Sequence, residues 1–311
     1  MTRKRIAQTI TITKLLKVFD SEETCIAWLE QSRWNGQPVC PHCQGRDSIS
    51  PAHSKPFTYW HKPCRKHFTV KTGSVMHASK TPTQNWIVAL YYILTARKGV
   101  SAMQLSKELG VQYRTAWYLL HRVREACASG EFQLQNIVEV DETYIGGKAK
   151  NKHQDKKPIH GRGTAGKQAV FGMRQRGGKT IAKPVPSTDK VTLQAEIAKA
   201  VQPGSILCTD DHGAYRDLDP TKYYHEAVNH SANQYVNGFA HTNGVESFWA
   251  MLKRALTGAY HHVSFKHLHR YINESAFRLN EGNCEVDTLD RMQAVVAGMS
   301  GKRIPYRELV A

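Results

Sequence analysis

The stretch that most constrains the fold is Ile137–Gly147, which reads I-V-E-V-D-E-T-Y-I-G-G. Its β-branched and apolar residues recur at alternate positions, the pattern of a buried strand, and the glycine pair marks the strand's end. Asp141 arrives within this strand, where a carboxylate is costly to bury unless it is paired or binds a cation. The stretch alone also fits a strand end with Asp141 in solvent, so the flanking sequence must decide between the two.

The charge balance narrows the class of partner. The 311 residues carry 43 Lys and Arg against 26 Asp and Glu, a formal net charge of +17, which favours a polyanion and most often nucleic acid. The first residues do not resemble a secretory signal peptide, and the longest apolar run, 86–94, is too short to cross a bilayer. Seven cysteines, an odd number, do not suggest a disulfide framework. We therefore expect a soluble, cytoplasmic, nucleoid-associated protein without a membrane partner.

Two short cysteine motifs predict a structural zinc site. The first is C-x2-C in residues 40–43, and the second is C-x2-H in residues 64–67, after a twenty-residue interval. A two-residue spacing allows paired thiolate or imidazole ligands to converge on one tetrahedral ion from a tight turn. A closed set of four ligands indicates a structural role for Zn²⁺. The predicted ligands are Cys40, Cys43, Cys64 and His67, with His42, His53 and His61 as alternative nitrogen donors.

Residues 82–128 are predicted to be wholly helical. Within them, residues 101–117 have the pattern of a helix, a turn at Gly110 and a second helix that runs to about residue 126. In a helix-turn-helix this second helix would present Gln112, Tyr113 and Arg114 to DNA at its exposed N-terminal end. The alternative is a packed helical hairpin without a DNA contact.

The largest block, 134–283, alternates strands and helices. A second strand also ends in a carboxylate, at Asp210. Residues 148–167 carry seven Lys or Arg and one Asp, which fits either a phosphate-contacting arm or a solvated surface loop. The predicted order is strand, strand, strand, helix, strand and then helices: 137–145, 169–173, 180–184, 191–201 and 205–210, followed by the helical remainder.

A third carboxylate, Glu246, lies in a predicted amphipathic helix within residues 241–254. Lys253 follows it by seven residues, or two helical turns, and therefore shares its face. Three carboxylates in one cleft would repel one another unless divalent cations held them. Two Mg²⁺ or Mn²⁺ ions would suit an in-line phosphoryl displacement.

Taken together, these motifs resemble a DDE transposase of a bacterial insertion sequence, of the ISXO2-like group that carries an N-terminal zinc ribbon and a helix-turn-helix. The resemblance covers roughly residues 20–285 and implies that Asp141 and Asp210 hold the metals. It also implies that Glu246 or Asn243, one turn earlier, completes the site, and that Lys253 positions a phosphate. The matching pieces are C-P-H-C (40–43), K-T-G-S-V (71–75), V-D-E-T-Y-I-G-G-K (140–148), T-D-D-H-G-A-Y (209–215) and H-T-N-G-V-E-S-F-W-A-M-L-K-R (241–254).

The resemblance implies an α/β fold, an RNase H-like mixed sheet flanked by helices and preceded by a small zinc ribbon and a helix-turn-helix domain. It further implies binding of double-stranded DNA at the element ends, strand transfer to target DNA, and a dimer or larger assembly on DNA. Two alternatives remain, a non-catalytic DNA-binding regulator or decayed copy, and a metal-dependent nuclease of the same fold. The expected segments are 1–36 helical, 37–78 zinc ribbon, 79–130 helix-turn-helix, 134–283 catalytic domain and 284–311 a partly flexible helical tail.

Overall fold

A computed structural model describes residues 9–128, 130, 132–147, 164–228, 239–281 and 286–311. The chain forms two compact units. Unit 1 comprises Met1–Ser129 together with Glu281–Ala311, and unit 2 comprises Gly130–Asn280. Within the described ranges, every helix is too short or too polar to span a bilayer.

Unit 1 begins with two helices, the second of which packs against a small ribbon. Helix α1 spans Ile12–Val18 and α2 spans Glu22–Trp34, and a capping box at Ser21 starts the second helix. The ribbon is an antiparallel sheet in which Trp34 packs edge-on against the aromatic rings of the second and third strands, with ring centroids 6.0 and 5.9 Å apart. Its strands are β1 (Ile49–Pro51), β2 (Tyr59–His61) and β3 (Lys66–Phe68).

Three further helices of unit 1 confirm the prediction for residues 82–128. They are α3 (Thr83–Thr95), α4 (Ala102–Leu109) and α5 (Tyr113–Ala126). Ser101 caps α4, and Gly110 ends it in the left-handed conformation at φ 62°, which a glycine adopts without steric cost. Helices α4 and α5 pack against each other across this turn, as a helix-turn-helix requires.

Unit 2 is built on a five-stranded mixed sheet. The first three strands form an antiparallel meander, and the last two run parallel to the first strand on its other side. The spatial order β6-β5-β4-β7-β8 is that of an RNase H-like sheet, so the predicted fold class is confirmed. The strands are β4 (Ile137–Ile145), β5 (Gln168–Gln175), β6 (Thr180–Pro184), β7 (Ser205–Asp210) and β8 (Tyr223–Val228).

Helices cover both faces of this sheet. On one face, Val138 and Val140 join a core with helix α6 (Lys190–Ala200). On the other, Ile145 joins a core with helices α7 (Asn243–Ala255) and α8 (Phe265–Asn280). Because successive side chains of a strand point to opposite faces, Glu139 and Asp141 share the face of Ile145, whereas Glu142 shares that of Val140.

The structure adds three features to the sequence prediction. Strand β8 was not predicted, because its four inner residues are exposed on a sheet edge and carry no apolar alternation. Of the predicted helical tail, the described residues 286–311 fold onto unit 1: helix α9 (Thr288–Ala297) packs against α2, α3 and α5, and a short helix α10 (Tyr306–Val310) follows. The predicted ribbon and helix-turn-helix segments also belong to one compact unit. Most of the predicted cationic loop, 148–163, lies outside the described residues.

Candidate active site and metal centre

The register of β4 against β7 sets the two predicted aspartates side by side. The last paired residues are Glu139 and Cys208. Two residues further along each strand are Asp141 and Asp210, so the two carboxylates leave neighbouring parallel strands at the same level. Adjacent strands lie about 4.8 Å apart, which brings the two negative charges close together. Asp210 ends β7 as predicted, whereas Asp141 lies in the middle of β4, which continues beside β5 to Ile145. The two aspartates are neighbours because both follow the last paired residues of β4 and β7.

Asp141, Glu142 and Asp210 form a crowded group of carboxylates, which we call the acidic corner. Burial, together with the charges of Glu142 and Asp210, raises the pKa of Asp141 to about 7, although a hydrogen bond from Trp249 acts in the opposite direction. Burial and the charge of Asp210 also raise the pKa of Glu142, against a hydrogen bond from Tyr215. Carboxylates held together in this way favour either a proton or a metal cation.

Trp249 ties helix α7 to Asp141. Its indole Nε1 donates a hydrogen bond to Asp141 Oδ2 at 2.9 Å. To reach this carboxylate, the ring crosses strand β5 at Gly172, the residue paired with Asp141 in the sheet. A Cβ at Gly172 would lie 2.5 and 2.6 Å from indole atoms Cζ2 and Cη2, so only glycine leaves room for the ring.

Glu139 fixes the beginning of the same helix. This carboxylate is 1% exposed, and its Oε2 accepts a hydrogen bond from the Val245 backbone N–H at 3.0 Å. Arg176 Nε donates to Oε1 at 3.2 Å. A Cβ at Gly244 would lie 2.6 Å from Oε2, so glycine permits the close approach. Sequence reasoning did not single out Glu139, although its place two residues before Asp141 on one strand face was the available signal.

The remaining predicted residues lie on the exposed side of α7. Asn243, Glu246 and Lys253 are all exposed, and Glu246 Oε1 accepts a hydrogen bond from Thr242 Oγ1 at 2.7 Å. Glu246 precedes Trp249 by three residues and Lys253 follows it by four, so all three side chains occupy one side of the helix. The helix packs against β4, which carries Asp141.

The ribbon contains a compact group of metal-type ligands. Ligand atoms of Cys40, Cys43, His61 and Cys64 all lie within 4.8 Å of one another, and no other such group occurs among the described residues. The three predicted cysteines are therefore together. A backbone hydrogen bond from Gln44 N to Cys40 O, 2.8 Å long, closes the turn that carries the first pair.

The fourth predicted ligand, His67, is corrected to His61. The pairing of β2 with β3 sets His67 opposite Trp60, and their ring centroids are 4.8 Å apart on the exposed side of the ribbon. His61 ends β2, is 2% exposed, and has its Nδ1 3.7 Å from Cys43 Sγ. The second ligand pair is thus His61-x2-Cys64, whose two-residue spacing was visible in the sequence.

The three residues predicted to contact DNA lie where the motif requires. Gln112 is the N-cap of α5, and Tyr113 and Arg114 form its first turn. All three side chains are exposed, so the N-terminal end of the second helix is open to a partner.

An RNase H-like sheet with paired aspartates, in a chain that also carries a cysteine-rich ribbon, is the arrangement expected of a transposase of the DDE type. Residues 133–280 match the ISXO2-like transposase domain, and residues 20–67 match the transposase zinc-ribbon domain. The chain therefore belongs to the ISXO2-like transposase family.

Relatives agree with this assignment. An uncharacterized protein in transposable element ISH50 of Halobacterium salinarum is 30% identical over 253 residues, which cover 78% of this chain and 85% of the relative. An uncharacterized transposase-like protein of Haemophilus influenzae is 31% identical over 102 residues, covering 33% of this chain and 81% of the relative. A chain in the cryoEM structure of a simian T-cell lymphotropic virus intasome in complex with a PP2A regulatory subunit is 11% identical, with a TM-score of 0.28, over 60% of this chain and 64% of that chain. That last likeness is too weak to carry an argument.

Proposed function

We propose that this transposase cleaves a phosphodiester at the ends of its element with the help of divalent cations and joins the freed 3′-hydroxyl to target DNA. The observation that carries the proposal is the placement of Asp141 beside Asp210 at the corner of the sheet. In the first step a water oxygen bonds to phosphorus as the 3′-oxygen leaves. In the second, that 3′-oxygen attacks a target phosphodiester and releases a target 3′-hydroxyl.

The acidic corner fits divalent cations. A bound cation would offset the cost of burial and the charge repulsion that raise the pKa of Asp141 to about 7. Carboxylate oxygens are the ligands that Mg²⁺ and Mn²⁺ prefer. When bound, two such ions activate the attacking hydroxyl and stabilise the leaving oxygen. Asp141 and Asp210 would hold them, and Trp249 would keep the Asp141 carboxylate in one orientation through its 2.9 Å hydrogen bond.

Helix geometry favours Glu246 over Asn243 as the third metal ligand. Trp249 fixes the side of α7 that is turned toward Asp141. Glu246 is about one turn from Trp249 on that side, whereas Asn243, six residues before Trp249, lies about 120° around the helix from it. Lys253 shares the side of Glu246 and is suited to hold a DNA phosphate next to the acids.

Unit 1 carries the residues proposed to bind zinc and those proposed to contact DNA. The cluster of three thiols and an imidazole suits Zn²⁺ in a structural role, because a closed set of four ligands leaves no open position for substrate. The exposed N-terminal end of α5, with Gln112, Tyr113 and Arg114, is proposed to read the element ends in the major groove. Since two ends must meet before joining, we expect at least a dimer on DNA.

A strand-transfer assay tests the proposal. Labelled DNA carrying the element end is mixed with supercoiled target and Mg²⁺ or Mn²⁺, and wild type is compared with Asp141→Ala, Asp210→Ala, Glu246→Ala and Asn243→Ala. Asp211→Ala is the matched control, because Asp211 is a neighbouring acid whose carboxylate meets Arg216 on the surface at 3.6 Å.

Loss of joined product in both aspartate variants, with end binding retained and the control active, is the expected result. Loss in Glu246→Ala but not in Asn243→Ala would support Glu246 as the third acid. Tight end binding without cutting by wild type under both metals would instead favour a non-catalytic DNA-binding protein. Cutting without joining would favour a nuclease.

A further inference from the structure

Unit 1 contains a cavity that none of the roles above uses. It opens between the segment before α3, one face of α5 and the segment before α10, and its volume is about 200 Å³. This is below the ~300–1,000 Å³ of clefts that hold drug-sized ligands, so it suits one small group. The polar side chains of its lining belong to His77, Ser79, Lys80, Thr81, Thr115, Tyr118, Arg122 and Arg303.

The buried cation of this cavity is Arg122. Its side chain is 4% exposed, and its guanidinium lies over the rings of Trp86 and Tyr118, 5.0 and 4.9 Å from their centroids. One guanidinium nitrogen donates to the His77 carbonyl at 2.7 Å. The buried Nε has no hydrogen-bond partner among the described residues. A buried charged donor without an acceptor is costly, and Arg122 is one of the residues that line the cavity.

The groups around Arg122 are also cationic. Arg303 and Lys80 are exposed at the cavity, and no carboxylate occurs among the described residues of its lining. Burial lowers the pKa of Arg122, and the neighbouring charge of Arg303 lowers it further. Burial, Arg303 and Arg122 together lower the pKa of His77. Like charges gathered without a counter-charge are stabilised by an anion.

The cavity lies on the proposed DNA-reading helix. Thr115, Tyr118 and Arg122 follow one another at helical spacing along α5, and Thr115 is next to Arg114 at the helix start. In helix-turn-helix complexes, contacts to backbone phosphates beside the reading helix fix its position in the groove.

We propose that this cavity binds a phosphate of the DNA backbone, with Arg122 as its buried donor and Lys80 and Arg303 as its outer cations. The proposal rests on the DNA binding proposed above for α5 and adds a sequence-independent contact to it. Arg is suited to the task because its planar, always charged guanidinium presents several donors to phosphate oxygens.

The test measures equilibrium binding of the full-length, zinc-loaded protein to a labelled element-end duplex and to an unrelated duplex, over a series of salt concentrations. The variants are Lys80→Gln and Arg303→Gln, singly and combined, because both side chains are exposed and their loss leaves the core intact. Lys17→Gln on α1 is the control, an exposed lysine of the same unit outside the cavity. Arg122→Gln is added, with circular dichroism to check its folding.

The proposal predicts that the double variant binds both duplexes about 10-fold more weakly, with a slope of log affinity against log salt reduced by about 1, while Lys17→Gln leaves the slope unchanged. Arg114→Ala should instead reduce the preference for the end duplex over the unrelated one. Unchanged affinity and slope in the cavity variants, with wild type binding DNA normally, would overturn the phosphate site and leave the proposed function intact. If wild type does not bind the end duplex, the proposed function itself fails.

A third arm uses inorganic phosphate alone. Calorimetric binding of inorganic phosphate that is lost in Arg303→Gln, with DNA affinity unaffected by the same change, would identify a free-anion site and overturn the DNA assignment. Competition between inorganic phosphate and either duplex for the wild-type protein would support the assignment of the cavity to a DNA phosphate.

Discussion

Replacing Gly172 by alanine tests how helix α7 is held against strand β4 through Trp249. The added Cβ would lie 2.5 and 2.6 Å from two atoms of the Trp249 ring, about 1 Å inside normal carbon–carbon contact. The ring cannot swing aside freely, because Trp249 is 4% exposed and packs on Phe248 with centroids 5.0 Å apart. Forcing one methyl group into such a core costs about 1–3 kcal/mol.

A second cost comes from Asp141. A displacement of about 1 Å stretches the 2.9 Å bond from Trp249 Nε1 beyond hydrogen-bonding range, and a bond to a charged group contributes about 1.5–3 kcal/mol. Alanine regains about 0.5–1 kcal/mol because it loses less backbone entropy than glycine on folding. The Gly172→Ala substitution should therefore lower the free energy of unfolding of unit 2 by about 1.5–5.5 kcal/mol.

Urea denaturation followed by circular dichroism measures this change. Gly213→Ala is the matched control, because a Cβ at Gly213 meets nothing within 4 Å, and it should stay within about 0.5 kcal/mol of wild type. In a Trp249→Leu background the ring is absent, and Gly172→Ala should then cost less than about 0.5 kcal/mol. Equal costs of Gly172→Ala with and without the indole would refute the reasoning.

Three further predictions concern other parts of the molecule. His61→Ala should lose bound zinc, measured by release to a colorimetric chelator, whereas His67→Ala should keep a full equivalent; the reverse would restore His67 as the ligand. Because the folded-state pKa of Asp141 is raised from 3.8 to about 7, the metal-free protein should lose stability as pH rises from about 4 to 7. Asp141→Asn should flatten that part of the urea-midpoint profile, and an unchanged profile would contradict the assignment. Glu139→Ala, which leaves the Val245 N–H without its acceptor, should destabilise unit 2 by about 1–3 kcal/mol and reduce joining, whereas full joining activity would show that Glu139 does not position α7.

Local pattern predicted most of the sheet. Strands β4, β6 and β7 begin and end where their apolar runs and their bounding glycine or proline residues indicated. The buried face of α7 was also predicted correctly, because Val245, Phe248 and Leu252 recur at helical spacing. All three are at most 1% exposed. Both signals work because burial of a periodic apolar face is decided by residues that are close in sequence.

The features that the sequence did not predict depend on pairing between distant segments. The register of β2 and β3 decides that His61 and not His67 meets the cysteines, and nothing local distinguishes two histidines of similar spacing. The role of Glu139 requires α7 to return to β4 more than a hundred residues later. Strand β8 forms because its backbone adds to β7, although its side chains carry no strand pattern.

The return of residues 281–311 to unit 1 has a consequence for how the chain folds during synthesis. Unit 2 is one continuous segment, so all of its contacts are available once residue 280 has left the ribosome. Helices α2 and α3 must wait for α9, whose buried residues Met292, Val295 and Val296 complete their packing. The hydrogen bond from Tyr118 Oη to Ile304 O, 2.7 Å long, closes a loop of nearly two hundred residues, the slowest kind of contact to form. A nascent chain can therefore complete the acidic corner before the cavity lined by Arg303 exists.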